Sequence, residues 1–184
     1  MYGPVIAGER VRLEPPRAEY APYYMRWFAD RAVTRYMLSR HPVSLKKQEE
    51  WIEDMSGSQA DVVWAMARAA GGELIGAVGL HRIVWRHSHA ELGYVIGERD
   101  QWGKGHATEA VKLATAYAFL ELGLHKVWAG VIAPNEASRR ALERNGYKQC
   151  ALFRQDRYVE GRWHDFWLGE ILKDEWDARQ EKTS

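Results

Sequence analysis

The chain has 184 residues, 46% hydrophobic and 28% charged, which is enough for one domain with a substantial core, taken as residues 1–184. Its 26 basic and 25 acidic residues leave a formal charge of +1, which speaks against a broad cationic face for nucleic acid or an anionic membrane and points to a small partner. A single cysteine, Cys150, excludes an internal disulfide framework; with no membrane-spanning apolar run and no apolar leader, the sequence predicts a cytoplasmic protein.

Val11-Arg12-Leu13-Glu14 alternates as a short strand does and stops at Pro15-Pro16, after which Tyr20, Tyr23, Tyr24, Trp27 and Phe28 recur at helical spacing. Ser44 stands where it can N-cap a second helix over Leu45 to Met55, with Leu45, Gln48, Trp51, Ile52 and Met55 on one side and an end at Ser56-Gly57-Ser58. Val62 to Arg68 and Leu74 to Ile83 read as strands joined through Ala70-Gly71-Gly72. In His89 to Gly97, Ala90, Leu92, Tyr94 and Ile96 alternate with Glu91, Gly93, Val95 and Gly97, so Glu91 projects from the face opposite Leu92. Gly105 to Leu122 carries the stripe Ala107, Ala110, Val111, Ala114, Tyr117, Ala118 of a helix packed on a sheet and ends at Gly123. Lys126 to Ile132 is a strand, and Asn135 to Asn145 a helix bounded by the capping residues Asn135 and Gly146. Tyr147 to Arg157 and Trp163 to Leu172 flank a tight turn at Glu160-Gly161, and the polar residues from 173 to 184 are expected to fray. The whole is a mixed α/β sheet.

The most informative stretch is Gln101-Trp102-Gly103-Lys104-Gly105-His106-Ala107-Thr108-Glu109-Ala110, a glycine-broken turn leading from a strand into a helix. Gly103 and Gly105 can take positive φ and lack a Cβ, so an anion can approach the main chain. The free N–H groups and positive dipole end of the following helix then favour a phosphate-bearing cofactor. The spacing lacks the third glycine of a dinucleotide fingerprint and the Gly-Lys-Ser/Thr of a nucleotide triphosphatase loop.

This turn, together with Glu9-Arg10-Val11-Arg12-Leu13-Glu14-Pro15, Asn135-Glu136-Ala137-Ser138 before Gly146-Tyr147, and Gly161-Arg162-Trp163-His164-Asp165, resembles the GNAT superfamily of N-acetyltransferases over nearly the whole chain. It is most similar to the branch of ribosomal-protein alanine acetyltransferases, which also holds spermidine and other small-amine acetyltransferases. The resemblance implies a mixed, mostly antiparallel central sheet of six or seven strands with a splayed parallel pair, flanked by helices. It implies acetyl-CoA as cofactor and coenzyme A as product. The diphosphate would lie on the backbone at Trp102, Gly103, Lys104, Gly105, His106, Ala107 and Thr108; the pantetheine arm would pair with the main chain of Tyr94, Val95 and Ile96; Asn135 would lie near the arm. Trp102 stands where the family has Gln or Arg, so that side chain brings no charge to the phosphates. A homodimer is a further expectation of the resemblance, and a peptide N-terminus or a small-molecule amine is the implied acceptor.

Acetyl transfer needs a neutral amine, a donor for the thioester oxygen and a proton for the departing thiolate. An α-amine with a pKa near 7.9 is easier to neutralise than a lysine near 10.4 by about 3.4 kcal/mol. Glu91 is the candidate to collect the amine proton or hold the cation, unless it is a salt-bridged strand residue. For the acid, the tyrosine that many relatives carry seven residues after the asparagine is Leu142 here, and the branch places a serine at Ser138, which otherwise serves its own helix turn. The missing tyrosine leaves a second reading, a catalytically weak acyl-CoA-binding regulatory domain. Trp27, Trp51, Trp85 and Trp163 are candidates for an acceptor pocket. Cys150 is expected in the core, and His81, His87 and His89 lack the accompanying cysteine or acidic ligands of a metal site.

Overall fold

The computed structural model describes residues 1–37 and 44–182. In chain order its elements are β1 (Ile6–Ala7), β2 (Val11–Glu14), α1 (Ala21–Ala29), α2 (Arg31–Thr34), α3 (Leu45–Gly57), β3 (Val62–Arg68), β4 (Leu74–Val84), β5 (His89–Ile96), α4 (His106–Leu120), β6 (Lys126–Ile132), α5 (Glu136–Arg144), β7 (Lys148–Val159), β8 (Arg162–Leu172) and α6 (Lys173–Glu181). The strands form one sheet in the order β1-β2-β3-β4-β5-β6-β8-β7. Every pairing is antiparallel except β5 with β6, where α4 supplies the crossover that a parallel pair requires. Eight strands replace the six or seven expected because Ile6–Ala7 adds an edge strand beside β2. The turn between them is fixed from afar: the Glu109 carboxylate accepts the N–H groups of Glu9, Arg10 and Val11 at 2.9, 2.7 and 2.7 Å.

The parallel pair is short. His89, Ala90 and Glu91 face Lys126, Val127 and Trp128, and beyond Glu91 the strands separate. On one face of the sheet α4 buries Ala110, Val111, Ala114 and Ala118 against Leu80, Leu92 and Val127. On the other, α1 and α3 bring Tyr24, Trp27 and Ile52 onto Ala65 and Leu74. At the parting strands lies a cavity of about 1140 Å³, lined by residues from both faces of the sheet.

Local signals held where a cap or a turn demanded a particular residue. Ser44 Oγ accepts the Lys47 N–H at 3.3 Å to start α3, and Asn135 Oδ1 accepts the Ser138 N–H at 3.3 Å to start α5. Glu160 and Gly161 both take positive φ, 49° and 80°, as a two-residue hairpin of this twist requires.

Two expectations fail. Residues 173–181 are helical, not frayed: Glu175 accepts the Leu172 N–H at 3.2 Å and the Lys148 ammonium at 2.5 Å, while Trp176 packs on Phe119. Cys150 is exposed, because Gln149 pairs with Gly169 and Ala151 with Leu168, leaving Cys150 as the extra residue of a β-bulge outside the core.

Candidate active site

At the α4 terminus Gly103 and Gly105 have φ of 75° and 85°, so the turn needs glycine at both positions. Gly105 caps the helix without a side chain, and Glu109 is the first residue whose N–H returns to it, at 3.1 Å to the Gly105 carbonyl. The N–H groups before it lack helical partners, as at any helix start. His106, in the first turn, is buried with its Nδ1 unpartnered among the described residues. Burial pushes its pKa below 6.5, and the neighbouring cations Arg68, Lys104 and Arg10 push the same way, against Glu109. An imidazole held toward its neutral form beside three cations and a free helix end makes an environment that favours an anion. Sequence reasoning missed Arg10 and Arg68, which reach this point from distant parts of the chain. Trp102 ties the turn to the sheet instead of meeting solvent alone: its Nε1 donates to the Ile96 carbonyl at 2.9 Å, with Arg99 against its ring.

Tyr94, Val95 and Ile96 line the cavity on the stretch of β5 that β6 has left, where the strand edge is open to an extended partner. Trp102, Gly103, Gly105, His106, Ala107, Thr108, Asn135 and Ser138 also line it; Lys104 is exposed outside it. The Tyr94 side chain adds what main-chain reasoning overlooked. Its phenol lies 2.8 Å from Ser138 Oγ and 2.9 Å from the Ser138 carbonyl. Burial pushes its pKa up to about 12, against the Ser138 hydrogen bond, so it remains a neutral donor. Ser138 therefore does not spend its hydroxyl on its own helix turn, which Asn135 caps; the hydroxyl meets the phenol at the cavity wall.

On the opposite face Glu91 lines the cavity, largely buried, and pairs with Arg82, whose guanidinium also lies 5.6 Å from the Trp128 ring centroid. Arg82 is turned there by a bulge between His81 and Val84, at which its own φ is 50°. The salt-bridged alternative for Glu91 thus holds geometrically, at a position that still faces the cleft. Directly across the strand pair from Glu91 stands His81, also lining the cavity, with Nδ1 3.0 Å from Asp61 Oδ1. His87 and His89 stack on each other at the far end of the strand, 6.3 Å apart.

Of the four tryptophans, Trp51 lines the cavity and the others do not. Trp27 is 2% exposed in the core beneath Gly97, its Nε1 on Glu98 at 2.9 Å. Trp85 lies on the turn after β4, bonded to the Gln59 carbonyl at 2.7 Å. Trp163 sits at the β7–β8 hairpin, exposed and 5.2 Å from Tyr158. An indole is placed by the packing of its own element, which aromatic content does not disclose.

Residues 10–148 match the family model described as acetyltransferase (GNAT) domain. The chain belongs to the GNAT acetyltransferases. Among the curated relatives of this GNAT chain, the uncharacterized N-acetyltransferase YoaA of Bacillus subtilis is 29% identical over 92% of this chain and 97% of its own length. The spermidine N(1)-acetyltransferase of Vibrio cholerae is 31% identical over 59% of this chain and 62% of its own. Among solved structures, that of spermidine N-acetyltransferase from Vibrio cholerae in complex with CoA and spermine superposes with a TM-score of 0.84, covering 92% of this chain and 99% of that one; at 22% identity it speaks for the fold alone. Among the described residues of this GNAT chain, no helix is long and apolar enough to cross a membrane.

Proposed function

We propose that the chain transfers the acetyl group of acetyl-CoA to a primary amine by direct attack within a ternary complex. The observation that carries this reading is the cavity that passes through the sheet where β5 and β6 part, with an anion-seeking helix end on one face and Glu91 and His81 on the other. The coenzyme would enter from the α4 side, its diphosphate on the amides from Gly103 to Thr108 and its arm along Tyr94–Ile96, which would aim the thioester between the strands. The amine would arrive from the side of α1, α2 and α3. There Glu91, held by Arg82, would orient the incoming cation or collect its proton. At the sulfur, the Tyr94 phenol donates to the Ser138 carbonyl and holds Ser138 Oγ at 2.8 Å, from where the serine O–H would turn to the departing thiolate. Tyr94 thereby supplies the phenol that Leu142 cannot.

The relatives named for spermidine support a free amine as acceptor. The two carboxylates among the described lining residues, Glu91 and Glu136, are already paired with Arg82 and Arg140, which favours an amine with one positive charge over a polyamine. A peptide N-terminus also has the more easily neutralised amine, by about 2.5 units relative to a lysine-like one. A thiol-release assay over short peptides, monoamines and polyamines tests the reading. Turnover on peptides or monoamines with little on spermidine is expected. Tight coenzyme binding with no turnover on any amine would instead identify a regulatory acyl-CoA-binding domain.

A further inference from the structure

Asp61 and His81 are joined by a hydrogen-bond contact that neither the glycine turn nor the Glu91 and Ser138 assignments use. Asp61 precedes β3 and His81 lies on β4, with Asp61 Oδ1 3.0 Å from His81 Nδ1. Burial alone would raise the Asp61 pKa, but hydrogen bonds from the Ser58 hydroxyl at 2.8 Å, His81, and the Arg82 N–H at 3.3 Å outweigh it and lower it. Asp61 is therefore ionised and accepts the Nδ1–H of the ring, which leaves Nε2 as the ring nitrogen open toward the cavity. Among the described residues Nε2 has no hydrogen-bond partner.

The ring is seated on glycine. Gly79 and Gly93 are opposite each other in the β4–β5 register, and a Cβ on Gly79 would meet His81 Nε2 at 2.5 Å, one on Gly93 would meet Cδ2 at 3.2 Å. Nε2 thus lies over the Gly79–Gly93 pair, two residues past the last contact of β5 with β6, where the cavity opens between the strands. The charged and titratable groups around it are Asp61 ahead of β3, Arg82 on β4, Glu91 on β5, and Arg35 and Tyr36 following α2.

We infer that His81, oriented by Asp61, is the group that takes the proton from the incoming ammonium, with Glu91 and Arg82 positioning the cation. This role rests on the acetyltransferase reading above. The ammonium gives one proton to Nε2, and the neutral nitrogen attacks the thioester carbonyl carbon. The C–N bond forms, the C–S bond breaks, the nitrogen loses its second proton as the thiolate takes one up, and His81 releases the first to solvent. The products are an N-acetyl amine, coenzyme A and one proton.

The test is the pH dependence of kcat/KM for wild type, His81→Gln and Asp61→Asn, with coenzyme dissociation constants and melting curves beside it. His81→Gln is expected to lower kcat/KM near neutral pH by about 100-fold or more and to remove the acid limb of the profile, leaving coenzyme affinity within twofold. Asp61→Asn should move that limb, since it keeps a hydrogen-bond acceptor and removes the charge. In His81→Ala, added imidazole should restore part of the rate, which a purely structural histidine would not allow. A wild type that turns over with an unchanged limb in His81→Gln, or with no imidazole rescue, overturns this role and leaves the acetyltransferase reading standing. A wild type inactive on the whole amine panel overturns both.

Discussion

Coenzyme binding should draw a proton onto His106. In the free protein burial holds this imidazole neutral, with Arg68, Lys104 and Arg10 adding to the effect, so its pKa lies below 6.5 and at that pH it is less than half protonated. A diphosphate on the amides beside Gly105 would bring about two negative charges within about 5 Å of the ring. At an effective dielectric constant of about 20 each is worth about 3 kcal/mol, and a third of their sum already raises the pKa by more than one unit. Net proton uptake at mildly acidic pH follows. Titration calorimetry in buffers of different ionisation enthalpy counts these protons. The coenzyme's own phosphomonoester, ionising near about pH 6, works in the opposite sense, so the quantity to read is wild type minus His106→Gln. Equal proton counts for the two proteins, with the variant still binding, would refute the placement of the diphosphate. The sign also fixes stability. A histidine whose folded pKa is depressed contributes stability that is full above 6.5 and lost as the pH falls through the folded value. The free protein should therefore lose stability on mild acidification, and bound coenzyme should reverse that part of the loss.

Other expectations follow from single contacts. Tyr94→Phe removes the phenol bonded to Ser138 and should lower kcat at least about tenfold with coenzyme affinity unchanged, as read by steady-state kinetics beside calorimetry. Glu109→Gln replaces a carboxylate that accepts three main-chain N–H groups with one acceptor and one misplaced donor; thermal melting should register a loss of about 2 kcal/mol, roughly 4–8 °C. Trp51→Ala should raise the KM for the amine severalfold, whereas Trp163→Ser, on the exposed hairpin, should leave it unchanged; the reverse order would return the acceptor pocket to the hairpin.

What could be read from the sequence was whatever a backbone conformation demands of one residue. Gly103 and Gly105 are legible because positive φ next to a helix start excludes most side chains, and Ser44 and Asn135 because a helix N-terminus needs an acceptor. The strand alternation in β5 likewise put Glu91 and Leu92 on opposite faces, with Leu92 in the core and Glu91 on the cleft. The rest depends on contacts between distant segments. The bulge at Cys150 is one extra residue in a pairing with β8, and nothing in β7 alone marks where the alternation slips. Helix α6 owes its order to Lys148 and Phe119, not to an apolar stripe of its own. The same holds at the site, where Tyr94 meets Ser138 across 44 residues and Asp61 meets His81 across 20. His81 shows the limit most plainly. Grouped with its neighbours His87 and His89 it suggested only a metal cluster to be dismissed, while its surroundings are made by Asp61 before the preceding strand and by the two glycines whose missing side chains give the ring its seat. The signal was present as Gly79, His81 and Gly93, but it becomes chemical only once the β4–β5 register sets those three positions over the gap between β5 and β6.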